Sequence, residues 1–600
     1  MSRHPAERDR RFARMHQRVL SPPFGTPTGV RAVFEIAFRG YRDRGTPGYL
    51  LEPLRGRRAG TVGVCTGTRN LVGRGGVAGV AVSPIQTDRA TFGHFPPTSR
   101  IAGPGGAHPG RGTTTMTFRR WVRPILQTCD EPMGDLVQPL NGFQQMMFRW
   151  EQHLPINALH LVELAFHPDP GSTQRCLAET CTNLGMRKVR VDRKGMSLSW
   201  ETAAQTERDE VPPLHLRVLP TSTRLGLSRA INAELNLPFP REAHWPIRAL
   251  QFELAGQGTY LGLVYHHLVS DAQGVSLLMR DWLRRLGGLP NQPSHLDLTY
   301  PQPEELSEDT AVEHWGETLT GITRGLGDVL ALRRCRRPRP FQRGDRRICS
   351  GIHETSARLG RVQGFAKALG ATLGDLVLAA MFEGLTISLA RKTNERVPLA
   401  LCMPVDLRRR SPGDYSQVLG QMLGSITVRD VGGVEEPFSQ RVARIADETR
   451  VLKAGDRAAR YGLQMRFMSR LWDLAPDWIN RVTGPAVIPL AGCLSNVNFT
   501  EFFGAEHEEG LIEGYHRFSG TGPLVPLLLS MTSLPGQLSL TTSHHSDVLP
   551  QTQVQRLMAH LRLRIQGELP DQSSLNLFGS LPIEPERETN IVPQIWNRAA

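Results

Sequence analysis

The passage from Tyr260 to Leu286 constrains the fold more than any other stretch of this chain. Ile247 to Leu254 and Tyr260 to His266 read as two strands joined at Ala255-Gly256-Gln257-Gly258, with the alternation Gln251-Phe252-Glu253-Leu254 in the first. Beyond the second strand, apolar side chains at 275, 278, 279, 282 and 286 recur at helical spacing, so the side-chain period changes from 2 to 3.6 across residues 267–273. A strand that feeds a helix in this way belongs to a mixed α/β layer, and the turn between them lies at a strand mouth. That turn carries His266-His267-Leu268-Val269-Ser270-Asp271. Strand neighbours point to opposite faces, so His267 is expected to face a cleft and His266 to be structural. With an ordinary pKa of ~6.5, the His267 imidazole is largely neutral at pH 7 and can accept a proton from a hydroxyl or amine. Asp271, at the start of the helix, reads as a structural carboxylate held by the helix dipole and by a cation from elsewhere.

At 600 residues the chain exceeds a single core and needs neither disulfide nor metal for stability. Its eight cysteines (65, 129, 176, 181, 335, 349, 402, 493) are scattered, with no Cys-x-x-Cys pair and no His at zinc-finger spacing. They point to reduced thiols, a cytoplasmic setting and no metal. The longest apolar run near the C-terminal end, Pro523 to Leu529, is far below the ~20 residues of a membrane helix, and no positive-then-apolar leader opens the chain. A soluble protein without a transmembrane segment is expected. The net charge of +14 suggests nucleic acid until it is placed along the chain. Residues 1–120 hold 20 Arg, no Lys and six acids, and residues 121–600 balance 51 basic against 51 acidic side chains. The basicity belongs to one segment, and no nucleic-acid partner is expected.

That segment, 1–120, is rich in Gly, Pro, Thr and Arg without a helix or strand period, and it reads as an extension that does not pack. A flexible basic tail, a targeting peptide and a translated stretch ahead of a start at Met116 or Met133 are the open readings. From about residue 135 the pattern becomes periodic, with a helix at Phe143 to Trp150, an apolar strand at Ala158 to Phe166 and a helix begun by Ser172. An Arg-rich linker over 321–345, with Arg at 333, 334, 336, 337, 339, 343, 346 and 347 in and around it, separates this half from a second. There Thr372-Leu373-Gly374-Asp375 has capping-box spacing ahead of an apolar helix, Leu376 to Ala390. Strands at Val397 to Val405, Leu527 to Thr532 and Gln537 to Ser543, and a helix at Thr552 to Gln566, complete the pattern. The fold class is α/β (α+β), with subdomains over 133–320 and 346–585.

The run Tyr265-His266-His267-Leu268-Val269-Ser270-Asp271-Ala272-Gln273-Gly274 resembles the HHxxxDG motif of the CoA-dependent acyltransferase superfamily. That superfamily includes chloramphenicol acetyltransferases, peptide-synthetase condensation domains, plant alcohol acyltransferases and wax ester synthases. Further pieces agree in order over about 135–580. They are Pro139-Leu140 through Trp150, the strand with His160, Thr372 to Leu378, Pro404-Val405-Asp406-Leu407-Arg408 as a "PVxLR" strand end, and Ser495-Asn496-Val497 as an "SN" turn. Ala272 stands where the motif usually has Gly, with Gly274 as the flexible position instead, and Gly420-Gln421 replaces a Gly-Asn.

The resemblance implies two chloramphenicol acetyltransferase-like subdomains in a V-shaped pseudo-dimer, with the active site in the channel between them. It implies an acyltransferase that moves an acyl group from a thioester to a hydroxyl or amine. His267 is then the catalytic base, Asp271 makes a structural salt bridge for which Arg408 is the candidate partner, and His266 and Gly274 belong to the structural motif. Ser495 and Asn496 are turn formers or, alternatively, an oxyanion donor or channel lining. The co-substrate is a coenzyme A thioester or a phosphopantetheine-linked acyl group, with no permanently bound cofactor. The partners are a small-molecule donor and acceptor, with an acyl carrier protein as the alternative donor. The rivals are a free-standing condensation-type amide synthase and a catalytically degenerate condensation-like binding protein, the latter suggested by Ala272 and Gln421. The Arg cluster is a solvated linker or a contact for coenzyme A phosphates or an acidic carrier. A second pair, His544-His545, is expected in a polar loop before Pro550 without a following apolar helix.

Overall fold

In a computed structural model the helix and strand patterns resolve into three sheets among the described residues. The structure describes residues 136–568 apart from 153, 203–211, 213, 220–223, 255–257, 291–294, 303–330, 333, 339–347, 391–394, 412, 455–456, 475–488, 522–524 and 547. All of these belong to one compact unit, Pro132–Ala600. The readings placed on the N-terminal extension, and on Arg333, Arg339, Arg343, Arg346 and Arg347, lie outside the described residues. Within the cluster, Arg336 pairs with Glu395.

The first half runs β1 (Leu136–Pro139), α1 (Gly142–Glu151), β2 (Asn157–Leu164), α2 (Pro170–Asn183), β3 (Val189–Val191), β4 (Ser197–Trp200), β5 (Leu214–Leu219), α3 (Arg224–Asn236), β6 (Ile247–Leu254), β7 (Gly258–His266) and α4 (Ala272–Leu286). The second runs β8 (Ile348–Arg358), α5 (Leu359–Ala368), α6 (Leu373–Leu389), β9 (Leu399–Asp406), β10 (Leu423–Asp430), α7 (Phe438–Ala454) and α8 (Arg457–Leu474). It continues with β11 (Gly492–Asn498), α9 (Gly504–Glu508), β12 (Ile512–Ser519), β13 (Leu527–Leu534), β14 (Gln537–His545) and α10 (Gln551–Gln566).

The sheet that carries the His pair has the order β12-β2-β7-β6-β5, the large sheet of the second half β10-β9-β11-β13-β14-β8, and a small one β1-β4-β3. Strand β2 is buried on both faces, which is why it reads as a nearly continuous apolar run. Ala158 and Val162 face a core shared with α4, while Leu159 and Leu161 pack with Leu227, Ile231 and Leu235 of α3. Its free edge is covered by β12, a strand of the second half, in antiparallel register from Ser519 opposite Ala158 to Ile512 opposite Leu164. The second half, expected as a separate subdomain, thereby supplies one edge of the first half's sheet.

Helix ends follow local chemistry. Asp169, rather than the expected Ser172, caps α2; its carboxylate accepts from the Ser172 N–H, and Pro170 opens the helix. Thr372 and Asp375 form the expected box at α6, with the Thr372 hydroxyl accepting from Asp375 N–H and the Asp375 carboxylate accepting from Thr372 N–H at 3.0 Å. Helix α6 is buried on every side from Gly374 to Thr386, so it is apolar all round. Among the described residues no single helix is long and apolar enough to cross a membrane. The expectation for His544 and His545 is corrected: they end β14 as buried residues, and α10 starts six residues later, because the polar Ser/Thr/His sequence there alternates along an interior strand.

Candidate active site

Strand β7 ends with His266 opposite Asn157, and the next N–H, that of His267, donates to Ile156 O at 3.1 Å. The chain then closes a turn in which the Val269 and Ser270 N–H groups donate to His266 O. Asp271 ends the turn as the N-cap of α4, its carboxylate accepting from Gly274 N–H at 3.0 Å. The same carboxylate takes both arms of Arg408, at 2.8 and 3.0 Å, and the N–H of Met422 at 3.0 Å. The pair is almost fully buried, and Arg408 donates further to Val418 O and Gly420 O. Burial works against the Arg408 cation, but Asp271 and then Asp406 outweigh it and hold the guanidinium above its ordinary value. Arg408 comes from the short 3₁₀ turn after β9, so the second half clamps the turn that the first half builds.

The clamp is the segment Val418 to Met422. Ser270 Oγ donates to Leu419 O. Gln421 Nε2 donates to His267 O and, at 3.2 Å, to Ser270 O. Gly274 is helical rather than a flexible position; a Cβ there would stand 2.2 Å from Leu419 O, so glycine is required by close approach. Ala272, in the first turn of α4, needs no left-handed backbone.

His267 Nδ1 lies 2.9 Å from Ser270 O, which assigns the hydrogen to Nδ1 and the lone pair to Nε2. Nε2 has no hydrogen-bond partner among the described residues. Burial holds the imidazole below its ordinary value, opposed by the bond to Ser270 O and by the Asp271 charge. The ring is neutral at pH 7, with one open acceptor site. Its face meets Tyr265 edge-on at 5.4 Å, and Tyr265 meets His160 at 5.3 Å. His160 shares a 2.8 Å hydrogen bond with Tyr515 of β12. His266 turns the other way, with Nε2 2.9 Å from Glu151 and its ring stacked on Phe239 at 5.2 Å. Burial raises the Glu151 carboxyl, but His266 outweighs it and leaves the group below its ordinary value.

Ser495 and Asn496 do not form a turn. They lie within β11, where parallel pairing with β13 absorbs their backbone, and among the described residues neither bonds to the His267 turn. The Ser495 hydroxyl accepts from Arg517 at 3.3 Å, and Asn496 is exposed. The residues that the sequence reading left out of the site are Gln144, Glu151, Tyr300 and, apart from its mention as a departure, Gln421. Gln144 Nε2 donates to Leu268 O, and Tyr300 Oη accepts from Gln421 N–H. Only the capping-box spacing Asn141-x-x-Gln144 gave a local signal for any of them.

No protein-family model matches the sequence, and no curated protein matches it. Solved structures do match. The TRI3 trichothecene 15-O-acetyltransferase of Fusarium sporotrichioides is 13% identical, covering 73% of this chain and 97% of its own, at a TM-score of 0.55. The first condensation domain of the calcium-dependent antibiotic synthetase, in complex with a substrate analogue, is 16% identical over 73% of this chain and 98% of its own, at 0.53. The EpoB cyclization-docking bidomain of Sorangium cellulosum is 15% identical over 73% and 86%, at 0.51. With mixed sheets and helices and these neighbours, the chain has the fold shared by this acetyltransferase and these condensation and cyclization domains.

Proposed function

We propose that this chain transfers an acyl group from a thioester to a hydroxyl or amine, with His267 as the base. The observation that carries the reading is the His267 ring itself, neutral, with Nδ1 bound to Ser270 O and Nε2 open. Nε2 takes the acceptor's proton as its oxygen or nitrogen adds to the thioester carbonyl. The tetrahedral oxyanion then collapses, the C–S bond breaks, and the thiolate leaves with the proton that Nε2 returns. The donor is an acyl group on coenzyme A or on the phosphopantetheine of a carrier protein, approaching from one side of a channel and the acceptor from the other. The proteins of similar fold include an acetyltransferase and peptide-synthetase domains, which supports acyl transfer with either an oxygen or a nitrogen acceptor.

The test is an acyl-thioester screen with free-thiol detection, run with alcohol and amine acceptors. Acceptor-dependent thiol release in the wild type should fall by ~10² to 10⁴ in His267→Ala. No acceptor-dependent release with any donor, or undiminished release in that variant, overturns the reading.

A further inference from the structure

We infer that Gln421 is the positioning residue that fixes which nitrogen of His267 is basic, an inference that rests on the reading of His267 as the base. Gln421 is fully buried, and its carboxamide reaches the catalytic turn from the other half of the molecule. An NH2 group has two hydrogens, and here the carbonyls of His267 and Ser270 take both. Ser270 O is also the acceptor for His267 Nδ1–H at 2.9 Å. Pinning that carbonyl keeps the ring proton on Nδ1 and leaves the lone pair on Nε2. The carboxamide nitrogen stands 3.1 Å from Nδ1, and with its hydrogens spent on the carbonyls it leaves that ring nitrogen to Ser270. Oε1 is buried without a partner among the described residues, so the orientation is set by the two donors; the reverse orientation would set oxygen against two carbonyls.

The height of the carboxamide is fixed as well. Gln421 N–H donates to Tyr300 Oη at 3.0 Å and Gln421 O accepts from Asn141 Nδ2 at 3.0 Å. Gly420 presses on the Tyr300 ring so closely that a Cβ would stand 1.9 Å from it. A side chain one methylene shorter, on a backbone held this way, does not reach the two carbonyls.

The experiment uses the full chain labelled with ¹³C,¹⁵N-histidine, the His267 signals being identified by their loss in His267→Gln. In the wild type, neutral His267 should carry its proton on Nδ1 and titrate below 6.5. Gln421→Met keeps the length and removes both donors; it should give a mixture of tautomers and a midpoint moved further below 6.5, because the bond to Ser270 O that opposes burial is loosened. Gln421→Asn provides the same comparison if the Met variant does not fold. In the transfer assay kcat should fall ~10- to 100-fold with KM little changed, the scale of a ~1 Å misplacement, and the acid limb should move with the spectroscopic midpoint. The same tautomer and midpoint in wild type and variant overturns the role of Gln421. The spectra need no substrate, so a tautomer that depends on Gln421 in a chain without transferase activity would uphold this inference and defeat the functional reading alone.

Discussion

At the residue scale, His267 and Asp271 carry different predictions. For His267 the prediction is a pH profile. A base protonated on its way down in pH gives an acid limb in kcat/KM, and burial places that limb below the ordinary 6.5. A limb at or above 6.5 in the wild type would mean that another group titrates. Asp271 is expected to act through the turn. Asp271→Asn keeps an acceptor for the Gly274 N–H, since Asn is as good a cap as Asp, and removes the charge opposite Arg408. A buried guanidinium left with only the partly exposed Asp406, at 3.3 Å, should cost up to ~3 to 5 kcal/mol, read by urea unfolding, and activity should fall with stability. Arg408→Met leaves the converse charge and should resemble it. A fully stable Asp271→Asn enzyme with activity reduced a thousandfold would make Asp271 a catalytic partner instead.

The strand–turn–helix of β7 and α4 is the element on which the site stands, and its local signals were strong enough to be read one residue at a time. The same holds for α6, whose start lay in the capping-box spacing of Thr372 and Asp375. Thr372→Ala should cost ~1 kcal/mol in urea unfolding. Asp375→Ala should cost more, because its carboxylate also receives the Thr449 hydroxyl of α7 at 2.6 Å and so ties two helices together. Equal losses would show that the tie between α6 and α7 contributes nothing. Where the sequence misled, at Ser495-Asn496 and His544-His545, the cause is shared. Small polar residues are turn formers in isolation, yet these sit in interior strands whose backbone groups pair with neighbouring strands.

For the whole molecule, the first half is incomplete by itself. Expressed alone, residues 133–345 would lack β12 along the edge of β2, Arg408 opposite Asp271 and Gln421 over the His267 turn. An uncovered apolar edge strand and an unpaired buried carboxylate should leave that piece insoluble, and co-expression with 346–585 should recover soluble protein with helix and strand content by circular dichroism. A soluble, folded 133–345 piece would show the halves to be independent. Sequence alone determined the elements near the site, the facing of His266 and His267, and the structural part of Asp271, because periodicity and cap spacing are local properties of the chain. It also pointed to Arg408 through a motif. Only the tertiary structure decided that β12 crosses to the first half's sheet, that Gly274 is there for Leu419, and that Gln421 and Tyr300 close over the turn. Those contacts join residues more than a hundred positions apart, and their hydrogen bonds leave no period in the sequence to read.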